Sequence, residues 1–79
     1  MVREAKRERV WIRAAERLVS LPGYPPGRAE VIGGWLADAF EPILPWEKGP
    51  NRAAKLARRS EARRRLREEI ESKLPISLP

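Results

Sequence analysis

The chain has no cysteine and no histidine, which removes disulfides, thiolate chemistry, the common zinc ligand sets and the nucleophile–base triads. Ser20, Ser60, Ser72 and Ser77 therefore have no imidazole to activate them, and Asp38 is the single aspartate. The glutamates stand beside arginines, and such neighbours lower a carboxylate's pKa rather than poise it for acid–base work. The five glycines, at 23, 27, 33, 34 and 49, match neither a phosphate loop nor a dinucleotide fingerprint. No catalytic residue, metal site or cofactor is expected, and the chain reads as non-enzymatic. Long apolar runs are missing as well. No stretch reaches the roughly 18 apolar residues of a membrane span, and no apolar signal core follows the opening MVREAKRER. No run alternates with period two, so strands are not expected. These absences point to a soluble cytoplasmic protein, in the host-cell cytoplasm if it is virus-encoded.

What is present is charge and proline. The 79 residues carry 17 Lys or Arg against 11 Asp or Glu, a formal net charge of +6. Hydrophobic content is 42%, ordinary for a globular chain, whereas 35% charge and eight prolines imply short elements with rigid connections. At this length one domain, residues 1–79, is expected, with about 60% of the unfolded surface buried and a thin core.

Three helical patterns emerge, near Arg3 to Ser20, Arg28 to Phe40 and Asn51 to Leu74. In the first, Val10, Trp11, Ala14, Leu18 and Leu21 are expected to share a face, with Ile12, Ala15 and Val19 widening it. Residues 1–9 have little apolar to bury and suggest a basic, fraying arm. The connection LPGYPPG, Leu21 to Gly27, holds three prolines and two glycines and must turn stiffly. The second helix, with Gly27 as its expected cap, carries Val31, Ile32, Trp35, Leu36, Ala39 and Phe40 and is expected to be the most buried element. Its Gly33-Gly34 pair costs about 1 kcal/mol per residue relative to Ala, which suggests close approach of another backbone, in this chain or a partner, with a kink as the alternative. The second connection, EPILPWEKGP from Glu41 to Pro50, is expected to cap the open end of the core with Ile43, Leu44 and Trp46. An exposed Trp46 serving as a partner anchor is the alternative. Gly49 or Asn51 should cap the third helix, with Pro50 in its first turn. The closing PISLP should be an extended tail, residues 75–79, that folds back or adds to a partner. The fold expected is thus all-α: a small three-helix bundle with two proline-rich connections and a long basic C-terminal helix. Its core should contain Val10, Trp11, Ala14, Leu18, Val31, Ile32, Trp35, Leu36, Phe40, Leu66 and Ile70.

The third helix concentrates the charge, nine Lys or Arg against four Glu between Asn51 and Leu74. At about 100° per residue Leu56, Leu66, Ile70 and Leu74 form a seam of roughly 80°. That seam is only partly coverable by a small bundle, which suggests an oligomer. Glu61 can reach Arg64 and Arg65, and Arg64, Arg65 and Arg67 each have a glutamate four residues on, so these read as a solvated face laced with ion pairs. Arg52, Arg59 and Arg63 have no carboxylate three or four residues away. With Lys48, Lys55 and Arg67 they are the candidate contacts for nucleic acid or for an acidic partner. Free N–H groups at the helix start add a modest anion site near Lys48, Arg52 and Lys55. The leading function is therefore nucleic-acid binding through backbone phosphates, DNA before RNA. A helix-turn-helix is disfavoured, because its two helices are joined by three or four residues and the connection here is nearer ten. The alternatives are an adaptor or inhibitor, virus-encoded in one version, that docks on an acidic protein surface through Trp46 or the Gly33-Gly34 face, and an oligomeric structural subunit.

Overall fold

Two proline-rich breaks separate three runs of helix-forming residues, and the computed structural model, which describes residues 4–79, has a helix in each run. These are α1 (Glu4–Val19), α2 (Pro26–Ala39) and α3 (Gly49–Lys73), with no strand among the described residues: an all-α three-helix bundle. The first three residues of the expected basic arm, Arg3 among them, lie outside the described residues, while residues 4–9 belong to α1.

The two proline-containing starts differ from expectation by two residues each. Pro26 opens α2 because the first helical position needs no N–H, with Pro25 as an extended N-cap at φ −63°, ψ 127°. Gly27 thus lies in the first turn and is not the cap. At α3 the cap is Lys48, in extended geometry. Gly49 follows at φ +61°, a left-handed conformation that glycine adopts without steric cost.

The core gathers one face of each helix, with most of its fully buried residues on α1 and α3. Trp11, Ala14, Ala15 and Leu18 repeat at helical spacing on α1, and Ala62, Leu66, Ile70 and Leu74 do so at four-residue steps on α3 and its cap. From α2 only Ile32 and Ala39 are fully buried; Trp35, Leu36 and Phe40 are half-buried and pack at the margin. The second helix packs against both neighbours but is not the most buried element, because most of its apolar side chains are only half-buried. Val31 is 38% exposed and Val10 41%, so neither belongs to the core. Val10 sits about 100° round the helix from Trp11, outside the arc that meets α3. The seam from Ala62 to Leu74 is covered from within the chain, which removes that argument for an oligomer, and only Leu56, 43% exposed, is left uncovered.

The remaining cover comes from the tail. Leu74 N–H bonds Ile70 O at 2.8 Å, the chain turns back, and Leu78 is buried beside Trp11 and Leu74. Its backbone is held at three points. Glu71 Oε2 accepts from Leu78 N–H at 2.8 Å, Trp11 Nε1 donates to Pro79 O at 3.2 Å, and Arg67 donates to Leu78 O and Pro79 O at 3.4 and 3.3 Å. Arg67 also lies over the Trp11 ring at 5.2 Å, and Phe40 meets that ring edge-on at 5.8 Å. Trp11 is thus the hub on which α1, α2, α3 and the tail converge.

Gly33 and Gly34 are exposed, and a Cβ at either would meet nothing within 4 Å. No backbone packs closely against them, contrary to the expectation. Both lie inside α2, so Gly33→Ala and Gly34→Ala should each stabilise by about 0.5–1 kcal/mol through helix propensity and unfolded-state entropy. A thermal melt should rise by roughly 4–8 °C per kcal/mol gained; an unchanged or lower midpoint in the double variant would mean that the pair answers to a contact made with a partner.

Candidate nucleic-acid interface

The outer side of α3 has the ion-pair lacing its sequence implies. Arg64 bonds Glu61 at 2.5 Å and Glu68 at 2.8 Å, and Arg65 bonds Glu61 at 2.8 Å. Two of the remaining glutamates are drawn elsewhere. Glu69 accepts from Tyr24 Oη at 2.9 Å and Arg28 at 3.5 Å, tying the first connection to α3, and Glu71 caps the tail. Arg28 in turn lies over Trp35 at 5.1 Å.

Two of the three arginines without local carboxylates, Arg59 and Arg63, acquire long-range partners. Arg59 Nη2 donates to Glu4 Oε1 at 3.0 Å, and Arg63 Nη2 converges on the same oxygen. Arg63 Nε also donates to Ala39 O at 2.8 Å, at the end of α2 where carbonyls are left unpaired by the helix, and its guanidinium lies 4.6 Å over Phe40. Lys55 bonds Glu47 at 2.5 Å and Pro42 O at 3.3 Å. Arg67 serves the tail, as described above. Four of the six basic candidates, Lys55, Arg59, Arg63 and Arg67, therefore have partners inside the fold. Lys48 and Arg52 are exposed and make no ion pair among the described residues.

Trp46 is 72% exposed and does not cap the core. Leu44, Pro45, Trp46 and Glu47 form a turn in which Glu47 N–H donates to Leu44 O at 3.0 Å and Leu44 N–H to Glu47 Oε2 at 2.8 Å. Trp46 occupies the tip of that turn, while Ile43 and Leu44 are the half-buried residues.

A different basic surface emerges on α1. Lys6, Arg9, Arg13 and Arg17 are all exposed and, at about 100° per residue, fall within roughly 80° on the side away from Trp11 and Leu18. None of the four makes an ion pair among the described residues, although Glu8 and Glu16 lie on the same helix. Exposed Val10 lies among them, and Val10, Arg13 and Arg17 border a shallow depression completed by the tail residues Ile76 and Ser77. The spacing of three, four and four residues is visible in the sequence, but the higher charge density of α3 draws attention away from it.

The paired carboxylates make the fold acid-sensitive. Hydrogen bonds from Arg64 and Arg65 hold Glu61 at about 2, against 4.5 for an unperturbed glutamate. The hydrogen bond from Lys55 and the Leu44 N–H lower Glu47. Burial raises Glu4 and Glu69, but is outweighed at Glu4 by the Arg63 hydrogen bond and the charges of Arg63, Arg59 and Arg7, and at Glu69 by Tyr24, Arg28 and Lys73, so both end lowered. A carboxylate with a depressed folded-state pKa contributes stability that is present above its unfolded value and lost as pH falls through the folded one. The melting temperature should accordingly be nearly flat from pH 7 to about 5 and fall as pH drops from about 4.5 toward 2. A midpoint indifferent to that range would mean that these pairs do not persist in solution.

No known protein family, curated protein or solved structure matches this chain significantly. Among the described residues no helix is long and apolar enough to cross a membrane.

Proposed function

We propose that this protein is a non-enzymatic, cytoplasmic nucleic-acid-binding module that contacts backbone phosphates, in DNA rather than RNA, chiefly through the outer face of α1. The observation that carries this reading is the contrast between the two basic helices. On α3 the arginines other than Arg52 are balanced by carboxylates or used to tie elements together. On α1 four exposed cations follow one line of about 16 Å with no carboxylate among the described residues paired to any of them. A face that is merely solvated is better served by interspersed opposite charges, as on α3. A line of uncompensated cations suits a line of phosphates, whose counterions are released on contact. An α-helix with its side chains is about 10–12 Å across, which fits the major groove of B-DNA at about 12 Å but not the narrow major groove of A-form RNA. Lys48 and Arg52, at the start of α3, are secondary contacts in this reading.

Fluorescence anisotropy with a labelled DNA duplex over a range of salt tests it. Four phosphate contacts imply a log-affinity against log-salt slope near −3.6, at about 0.9 per contact, with a matched RNA duplex bound more weakly. Absence of binding at low salt, or affinity indifferent to salt, would remove the reading. The second reading, an adaptor docking on an acidic protein, is favoured by one observation, the 72% exposure of Trp46. A discrete protein retained after nuclease treatment, and lost on Trp46→Ala, would support it instead.

A further inference from the structure

We infer that Arg59 and Arg63 form a separate phosphate-binding site, selective for a phosphate monoester such as a nucleic-acid 5′ end, and that the Glu4 carboxylate closes it. This rests on the nucleic-acid reading for its ligand, but on different residues. Two guanidiniums converge on a single oxygen, Glu4 Oε1, so the cluster keeps one uncompensated positive charge. Arg63 is set in place without help from Glu4, by Ala39 O and by the Phe40 ring beneath it. Arg59 Nε is buried without a hydrogen-bond acceptor among the described residues, although its own Nη2 and Arg63 are satisfied. Both arginine side chains are about one-fifth exposed, whereas Glu4 is half exposed and stands in the first turn of α1. The carboxylate is thus the replaceable member of the cluster. A phosphate monoester carries about two negative charges near neutrality and three strong acceptor oxygens. It matches two guanidiniums in charge and offers one acceptor more than Glu4 does. A bridging phosphodiester has one charge, like the carboxylate, and gains less by displacing it.

Binding is measured with inorganic phosphate and with one DNA duplex bearing either a 5′-phosphate or a 5′-hydroxyl, on the unaltered protein and on Glu4→Gln. Glu4→Gln should bind the 5′-phosphorylated duplex roughly tenfold more tightly than the hydroxyl form, in keeping with one or more added charge-assisted hydrogen bonds. The unaltered protein should discriminate less, and Arg59→Gln in the Glu4→Gln background should abolish the gain. Equal affinity of Glu4→Gln for the two ends would overturn the inference. The Nε–H resonances of Arg59 and Arg63 in the unaltered protein provide a second reading that does not depend on the variant's folding. They should shift saturably as inorganic phosphate is added, and at lower phosphate in Glu4→Gln. No saturable shift in the unaltered protein would equally overturn it. The 5′-hydroxyl duplex on the unaltered protein tests the α1 surface alone, so either idea can fail without the other.

Discussion

Replacing Trp11 with alanine is expected to cost about 3–5 kcal/mol and so to remove a large fraction of the fold's stability at 25 °C. A domain of this size has roughly 4–12 kcal/mol of stability in all, at about 0.05–0.15 kcal/mol per residue. Trp11 is fully buried and meets the end of α2, α3 and the tail. Its ring supports Phe40 from the end of α2 and Arg67 from α3, and its indole N–H holds the tail at Pro79 O. Removing it leaves a cavity at the centre of a thin core and unties the tail that covers one side of it. Trp35→Ala provides the control. Its ring is half-buried at the margin under Arg28, so the change should cost less than half as much and leave a cooperative melt. Circular dichroism and a denaturant titration of the two variants would decide the matter. A Trp11→Ala protein that melts like Trp35→Ala would place the core elsewhere.

Where the helices lie was legible, because prolines interrupt the chain where helical periodicity stops and the periodic runs survive between them. Ends were less so. Pro26 reads as a breaker, yet at a first helical position it costs no hydrogen bond, and α2 begins there. Faces were legible where the spacing is unambiguous, as for Leu66, Ile70 and Leu74, and misread where two apolar residues are adjacent. Val10 and Trp11 stand about 100° apart, and only the position of α3 decides which of them is inside. The partners of Arg59 and Arg63 could not be found by searching three or four residues away, since Glu4 is 55 and 59 positions distant in the chain. The same limit concealed the tail, whose anchors Trp11 and Arg67 belong to opposite ends of the chain. Long-range pairing therefore changes the functional reading more than the fold. It gives Arg59 and Arg63 a partner in Glu4, while Arg52 and the less conspicuous cations of α1 make no ion pair among the described residues.

The α1 surface should consequently dominate nucleic-acid affinity. Changing Lys6, Arg9, Arg13 and Arg17 together to glutamine removes four exposed charges that touch neither the core nor any ion pair among the described residues, so the melting temperature should hold or rise as their mutual repulsion is lost. Duplex affinity at low salt should fall by about a hundredfold or more, and the log-affinity against log-salt slope should flatten by about 3.6 units. Arg59→Gln with Arg63→Gln should behave in the opposite sense. It removes the contacts of α3 with Glu4, Ala39 and Phe40, so stability should drop while affinity for a 5′-hydroxyl duplex changes little. The two variants thus exchange phenotypes: one folded and unable to bind, the other less stable and still binding. If the α1 variant keeps its affinity while the α3 pair loses it, the phosphates are bound by the longer helix after all, and Glu4 and the Ala39 carbonyl must give up Arg59 and Arg63 when the duplex arrives.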